Sequence, residues 1–116
     1  MKDELIFHLV TQKTWKASQH SGEYIPESLK EEGFIHCSSG QQIEKTANRL
    51  FKGEKRLFLL VIDVSRLQSR LTYEDKGGTG EKFPHLYGPI NIDAVIDKIK
   101  IFPEKDGSFK INVESN

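Results

Sequence analysis

Hydrophobic and polar positions first fall into order between Glu4 and Val10. Period-two alternation there places Ile6, His8 and Val10 on one face and Leu5, Phe7 and Leu9 on the other. The pattern predicts a strand, so that His8 projects from a regular element. Over 11–18 a Thr cap signal with Trp15 and Ala17 predicts a short helix, which His20-Ser21-Gly22 breaks. Residues 26–33 open on Pro26 and close on Gly33, the two ends of a helix of one or two turns. A strand over 34–38 follows, with Phe34, His36 and Ser38 on one face and Ile35 and Cys37 on the other.

From 41 to 51, Ile43, Ala47, Leu50 and Phe51 are spaced as one apolar helical stripe. The run 56–63 is apolar almost throughout, the pattern of a central strand buried on both faces. Residues 71–74 read as a short strand and 76–80 as a glycine-rich, mobile loop. Residues 83–89, Phe-Pro-His-Leu-Tyr-Gly-Pro, read as a stiff connection. Two further strands are expected over 94–102 and 108–113, joined through the hairpin signal Asp106-Gly107. Strand, helices, strand, helix and then mostly strands define an α+β class: a small mixed sheet with packed helices, one domain over residues 1–116.

Composition narrows the function classes. The 17 basic and 17 acidic side chains cancel, which removes the long-range attraction that bulk nucleic-acid binders use and disfavours that class. Cys37 is the only cysteine, so neither an intramolecular disulfide nor a four-thiolate zinc site is possible, and a reducing compartment is expected. Nowhere do eighteen apolar residues run together, and the N-terminus shows no signal-peptide pattern. The reading is a cytoplasmic protein that does not enter a membrane. Oligomeric state is not readable.

Candidate chemistry centres on histidine, which donates, accepts and ionises near neutral pH. His8, His36 and His85 fall on or beside ordered segments. Each could equally be a hydrogen-bonded core or rim residue. Three histidines can hold a catalytic zinc, but no HExxH and no pair one helical turn apart is present, so no metal is expected. Cys37 points away from His36 and reads as a small buried hydrophobe. Ser38 is either a ligand contact or a cap of the next helix.

Lys45, Arg49 and Lys52 share a helix face, either solvated or suited to a phosphate. The glycines at 77, 78 and 80 do not form a phosphate loop. Glu74, Asp75 and Glu81 flank them, and a carboxylate there could stabilise a developing cation. In 83–89 two aromatics, a histidine and two prolines stand together, either to hold a ligand or to make a tightly packed turn with Tyr87 over the core.

Ile6-Phe-His-Leu9, Trp15, Tyr24-Ile-Pro-Glu-Ser-Leu29, Gly33-Phe-Ile-His-Cys-Ser38, Gln42, Thr46-Ala-Asn48, Glu74 and Phe83-Pro-His-Leu-Tyr-Gly-Pro89 together resemble the bacterial family known as domain of unknown function 952. The resemblance runs from about residue 4 to about residue 102. That family is in turn distantly similar to the ADP-ribosyltransferase-like superfamily, which implies a split sheet that binds NAD across a cleft. On this resemblance His8 is similar to the first-strand histidine that hydrogen-bonds a ribose of NAD. Residues 35–38 are similar to the second histidine motif of the RNA 2'-phosphotransferases, which use NAD to remove a phosphate from RNA.

Glu74 or Glu81 then matches the glutamate that steadies the ribosyl cation. Leu9 departs from the superfamily pattern, which has a small residue after the histidine. The implied assignment is catalytic for His36, Glu74, Glu81 and His85, and NAD-binding for His8, Ser38 and Tyr87. NAD is the implied substrate. A small-molecule or nucleotide ligand is the implied partner, and an RNA end a further one. A non-catalytic nucleotide-binding module and, more distantly, a metal-dependent hydrolase are the rival readings.

Overall fold

A computed structural model of the chain describes residues 4–113. Among the described residues nine strands form three antiparallel three-stranded sheets, accompanied by three short α-helices and two 3-10 turns. The fold is α+β, as expected, and every ladder among the described residues is antiparallel.

The first sheet has the order β1 (Leu5–Val10), β5 (Leu57–Asp63), β9 (Val95–Ile101). All seven residues of β5 are buried, so the apolar run at 57–63 does become the central strand. One face packs Ile6, Val10, Phe58, Leu60 and Ile62 against Trp15, Tyr24 and Leu86. The other packs Phe7, Leu9, Leu57, Leu59 and Val61 against Ile43 and Ala47 of α3 (Ile43–Leu50). Both faces of β1 therefore divide as the alternation requires. Cys37 is 1% exposed within the first of these cores.

The helices at 11–18 and 26–33 are α1 (Gln12–Ala17) and α2 (Glu27–Glu32). The Thr11 side chain accepts from the backbone N–H of Thr14 to cap α1, and Gly33 closes α2 with φ 86°. Between them, the break at 20–22 is the tip of a small hairpin. β2 (Gln19–His20) pairs with β3 (Glu23–Tyr24), which pairs in turn with β8 (Ile90–Asn91). Ser21 and Gly22 both take positive φ, 53° and 82°, the geometry of a two-residue turn matched to strand twist.

The third sheet, β4 (Ile35–His36), β7 (Phe83–Tyr87), β6 (Arg70–Glu74), corrects the reading of 83–89. That segment is not a connection but the middle strand, with Pro84, His85 and Leu86 buried. A proline can sit there because its carbonyl accepts from the Cys37 N–H at 3.0 Å. The edge of Pro84 without an N–H thus faces the point where β4 ends.

Two other expectations fail. Leu50 is 52% exposed and leaves the α3 stripe, which consists of Ile43, Thr46, Ala47 and half-buried Phe51. Residues 108–113 form no strand. The turn at Gly107 is present, with φ 86° and its N–H bonded to the Glu104 carbonyl at 2.9 Å. Beyond it no ladder forms, because α3 satisfies the backbone instead: Asn48 accepts from the Phe109 N–H at 2.7 Å and donates to the Phe109 carbonyl at 2.9 Å, and Glu44 accepts from the Ile111 N–H at 2.7 Å. Phe109 and Ile111 are buried all the same. Among the described residues no helix is long and apolar enough to cross a membrane.

Candidate functional site

The sheet β4-β7-β6 and the exposed side of α3 enclose a cleft of about 560 Å³. Phe34 and Phe83 give it aromatic walls, His36 and His85 lie between them, and Glu74 and Lys76 line it from the end of β6. Lys45 and Arg49 reach it from α3, one helical turn apart, together with Glu81 across from them. The antiparallel register of β4 on β7 sets His36 opposite His85, and that of β6 on β7 brings Glu74 to the same end. His36, Glu74, Glu81 and His85, four residues that come from three separate stretches of sequence, are thereby brought into one cleft.

Three of them, His36, His85 and Glu74, are joined by hydrogen bonds. His36 Nδ1 and His85 Nε2 share one at 3.1 Å, His85 Nδ1 and a Glu74 oxygen share one at 2.9 Å, and the Tyr87 hydroxyl donates to the same oxygen. His85 is 3% exposed and stacks on Phe34 with centroids 4.2 Å apart. The hydrogen bonds from Tyr87 and His85 hold the Glu74 carboxyl below the usual carboxylate range, and the Glu74 hydrogen bond raises the Tyr87 phenol. Burial, with the nearby His85, His8 and Arg49, lowers His36 from 6.5 to about 4. The imidazole is neutral at pH 7. Its Nε2 is buried and has no hydrogen-bond partner.

At the rim, Lys45 Nζ lies 2.9 Å from Glu81 and, with Gln42, keeps the Glu81 carboxyl below its ordinary range. Lys76 lies over Phe34, 5.4 Å from the ring centroid. The loop between them closes on Asp75, whose two oxygens accept from the N–H groups of Thr79 at 3.0 Å and Gly80 at 2.7 Å.

The other candidates lie elsewhere. His8 is on β1, with Nδ1–H donating to the carbonyl of His36 at 2.8 Å and Nε2 accepting from the Tyr24 hydroxyl at 2.9 Å. Both ring nitrogens are used, burial lowers its pKa to about 4, and it does not line the cleft. Ser38 is 1% exposed, and its hydroxyl pairs with that of Thr46 at 3.1 Å. The shared face of His36 and Ser38 does not keep them together, because β4 ends at His36 and Ser38 crosses over to bridge Phe7. Tyr87 reaches the cleft only through Glu74, and the Arg70 guanidinium lies 4.5 Å above its ring centroid.

Gln42 is a site residue the patterns missed. Its side-chain oxygen accepts from the Ser39 N–H at 3.0 Å, and its amide donates to Glu81 at 3.1 Å and to the Lys82 carbonyl at 2.7 Å. The legible signal was Ser39-x-x-Gln42, the spacing of a capping box, of which only the arm from the Ser39 N–H to Gln42 forms, in the turn before α3. A second hollow of about 620 Å³, beside Gly53 and Phe102, is lined by Lys55 and Arg56 but by no histidine. Among the described residues no three His, Cys, Asp or Glu side chains are grouped as metal ligands.

The antiparallel sheets and this aromatic-walled cleft with its histidines and carboxylates define, among the described residues, a small α+β protein with a titratable cavity. The chain belongs to the family described as protein of unknown function, DUF952, whose sequence profile matches residues 9–98. It is similar to the protein CC0527 from Caulobacter crescentus. The crystal structure of CC0527 is 31% identical with a TM-score of 0.80, over 91% of this chain and 93% of that one. Its solution structure is 31% identical with a TM-score of 0.76, over 90% of each chain. No curated protein matches.

Proposed function

We propose that the cleft binds NAD and that the protein is a small ADP-ribosyltransferase-like enzyme, acting by transfer of ADP-ribose or by NAD-dependent phosphotransfer. One observation carries this reading: an ionised carboxylate and a neutral histidine share an aromatic-walled cleft with three cationic side chains, Lys45, Arg49 and Lys76. The cations suit a pyrophosphate. Phe34 and Phe83 suit a flat ring.

In the reaction the bond between the ribosyl carbon and nicotinamide breaks, and the electron pair leaves with neutral nicotinamide. Positive charge builds on the ribosyl carbon, and Glu74 is placed to stabilise it. The acceptor oxygen then bonds to that carbon and sheds its proton to water. Glu81, already paired with Lys45, is the weaker candidate for the carboxylate role. His8 and Ser38 serve this reading without lining the cleft: His8 fixes the backbone of His36.

A non-catalytic nucleotide-binding module is the second reading, favoured by the two hydrogen bonds that Glu74 already accepts. Thermal unfolding with excess NAD tests binding. NAD at 100 times its dissociation constant adds about 2.7 kcal/mol, a rise of roughly ten degrees for a domain of this size. The rise is expected to vanish in His36→Ala. No rise at millimolar NAD overturns the proposal. A rise without nicotinamide release selects the binding module.

A further inference from the structure

Glu74, His85 and His36 form a chain in which each hydrogen bond decides the next. Ionised Glu74 has only lone pairs to offer, and it receives the Tyr87 hydroxyl and His85 Nδ1 on one oxygen. His85 Nδ1 therefore carries a proton. In the neutral imidazole its Nε2 is then a lone pair, so the 3.1 Å contact to His36 requires the proton to sit on His36 Nδ1. His36, neutral at pH 7, is left with a lone pair at Nε2.

The alternative that keeps the same contacts is a doubly protonated His85. It would place an N–H at His36 Nε2, where no partner exists. A buried N–H without an acceptor is rarer and more costly than an unused lone pair. Carboxylate, His85 and His36 thus act as a relay that sets the polarity of one atom in the cleft wall.

We infer that the Glu74–His85 relay locks His36 as a hydrogen-bond acceptor at Nε2, so that the ligand group docking there is a donor, a ribose-type hydroxyl and not a phosphate oxygen. A phosphate at that point would set lone pairs against a lone pair. Its place is the rim, with Arg49 and Lys45. Nε2 is buried beside the half-buried ring of Phe83, whose centroid lies 5.1 Å from that of His36, so this docking requires the Phe83 ring to move. This assignment rests on the cleft being the nucleotide site proposed above. Glu74 gains a second role as a positioning residue that acts through His85, and Tyr87 acts only through Glu74.

The test is nitrogen-15 NMR of the histidine rings at pH 7 with the cleft empty, so that its outcome does not depend on whether NAD binds. The expected spectrum shows a protonated Nδ1 and an unprotonated Nε2 for His36, and the same for His85. Glu74→Ala should lose the lock, with a second population in which the proton has moved to Nε2 on both rings. Tyr87→Phe keeps the carboxylate and should match the parent protein. With ADP-ribose added to the parent, His36 Nε2 should shift as a nitrogen accepting a hydrogen bond, while pyrophosphate alone should leave it unmoved. A proton on His36 Nε2 in the parent protein, or a Glu74→Ala spectrum identical to the parent, overturns the lock. A pyrophosphate-induced shift at Nε2 overturns the docking polarity. If the empty-cleft spectrum is as expected but ADP-ribose shifts nothing, the lock stands and the nucleotide reading falls.

Discussion

The sheets β1-β5-β9 and β4-β7-β6 each have three antiparallel strands, but they are held by different chemistry. The first has strands of six, seven and seven residues, with a fully buried central strand between two apolar cores. The second has a two-residue strand at one edge and a proline in its middle strand. Its cleft end is joined through the side chains of His36, His85, Glu74 and Tyr87. Apolar burial is non-directional and tolerates few questions of protonation. A buried polar chain is directional, and each member depends on the proton position of the next. The first sheet is a scaffold, and the second can be specific because its stability and its chemistry share the same atoms.

The largest expected effect lies in the scaffold. Leu60 is 0% exposed in the middle of β5, and Leu60→Ala removes its packing and leaves a cavity. A loss of about 2–5 kcal/mol in urea unfolding is expected, with the His36 ring spectrum of the folded fraction unchanged. A loss below about 1 kcal/mol, in the range of a conservative core swap, would break the division between the sheets.

Next comes acid. His8 joins the two sheets, since it stands on β1 and donates to the backbone of β4. Its pKa in the folded protein is about 4 against 6.5 unfolded, so below pH 6.5 the unfolded chain takes up a proton that the folded one refuses. The stabilisation is complete above pH 6.5 and is lost as pH falls toward 4. For His8 this amounts to at most roughly 3 kcal/mol. His36, also lowered to about 4, adds to it with the same sign. Chemical denaturation at pH 7, 5.5 and 4.5 should show the decline, and His8→Gln should make it shallower. A flat profile between 7 and 4.5 would mean that the histidines are not buried in their neutral form.

The same contrast explains what could be read from the amino-acid order. Alternation in 4–10 and the unbroken apolar run at 57–63 report burial directly, so β1 and β5 were legible to within a residue or two. The stripe Ile43, Ala47, Phe51 gave α3, while Leu50 failed because a cleft, not a core, lies beside it. Phe83–Tyr87 was illegible as a strand because its proline argues for a turn, and only a partner strand that ends beside Pro84 makes it acceptable. The strand expected at 108–113 failed for the opposite reason. Its composition is right, but Asn48 and Glu44 occupy the backbone groups that a ladder needs.

His36, His85 and Glu74 could be nominated one by one from residue type. Their union depends on the registers of β4 and β6 on β7, which no local pattern encodes. His8 and Ser38 show the reverse: side chains nominated for a ligand are spent on Tyr24, Thr46 and the backbone.

The smallest effect on stability is expected at Lys45, and it separates the regions most sharply. Its ammonium pairs with Glu81 at 2.9 Å, with the two side chains 67% and 34% exposed, so water and salt screen the pair and Lys45→Ala should change stability by less than about 1 kcal/mol. If the cleft holds a pyrophosphate, the same change should weaken NAD binding by roughly tenfold, equivalent to about 1.4 kcal/mol. The deficit should shrink as ionic strength rises, since a charge at an open rim acts through screened attraction. Isothermal titration at low and at high salt measures both. A variant as tight as the parent at every salt concentration would place the phosphates away from α3. A deficit that salt does not touch would assign Lys45 a buried contact, drawing the rim into the same directional chemistry as the histidine relay.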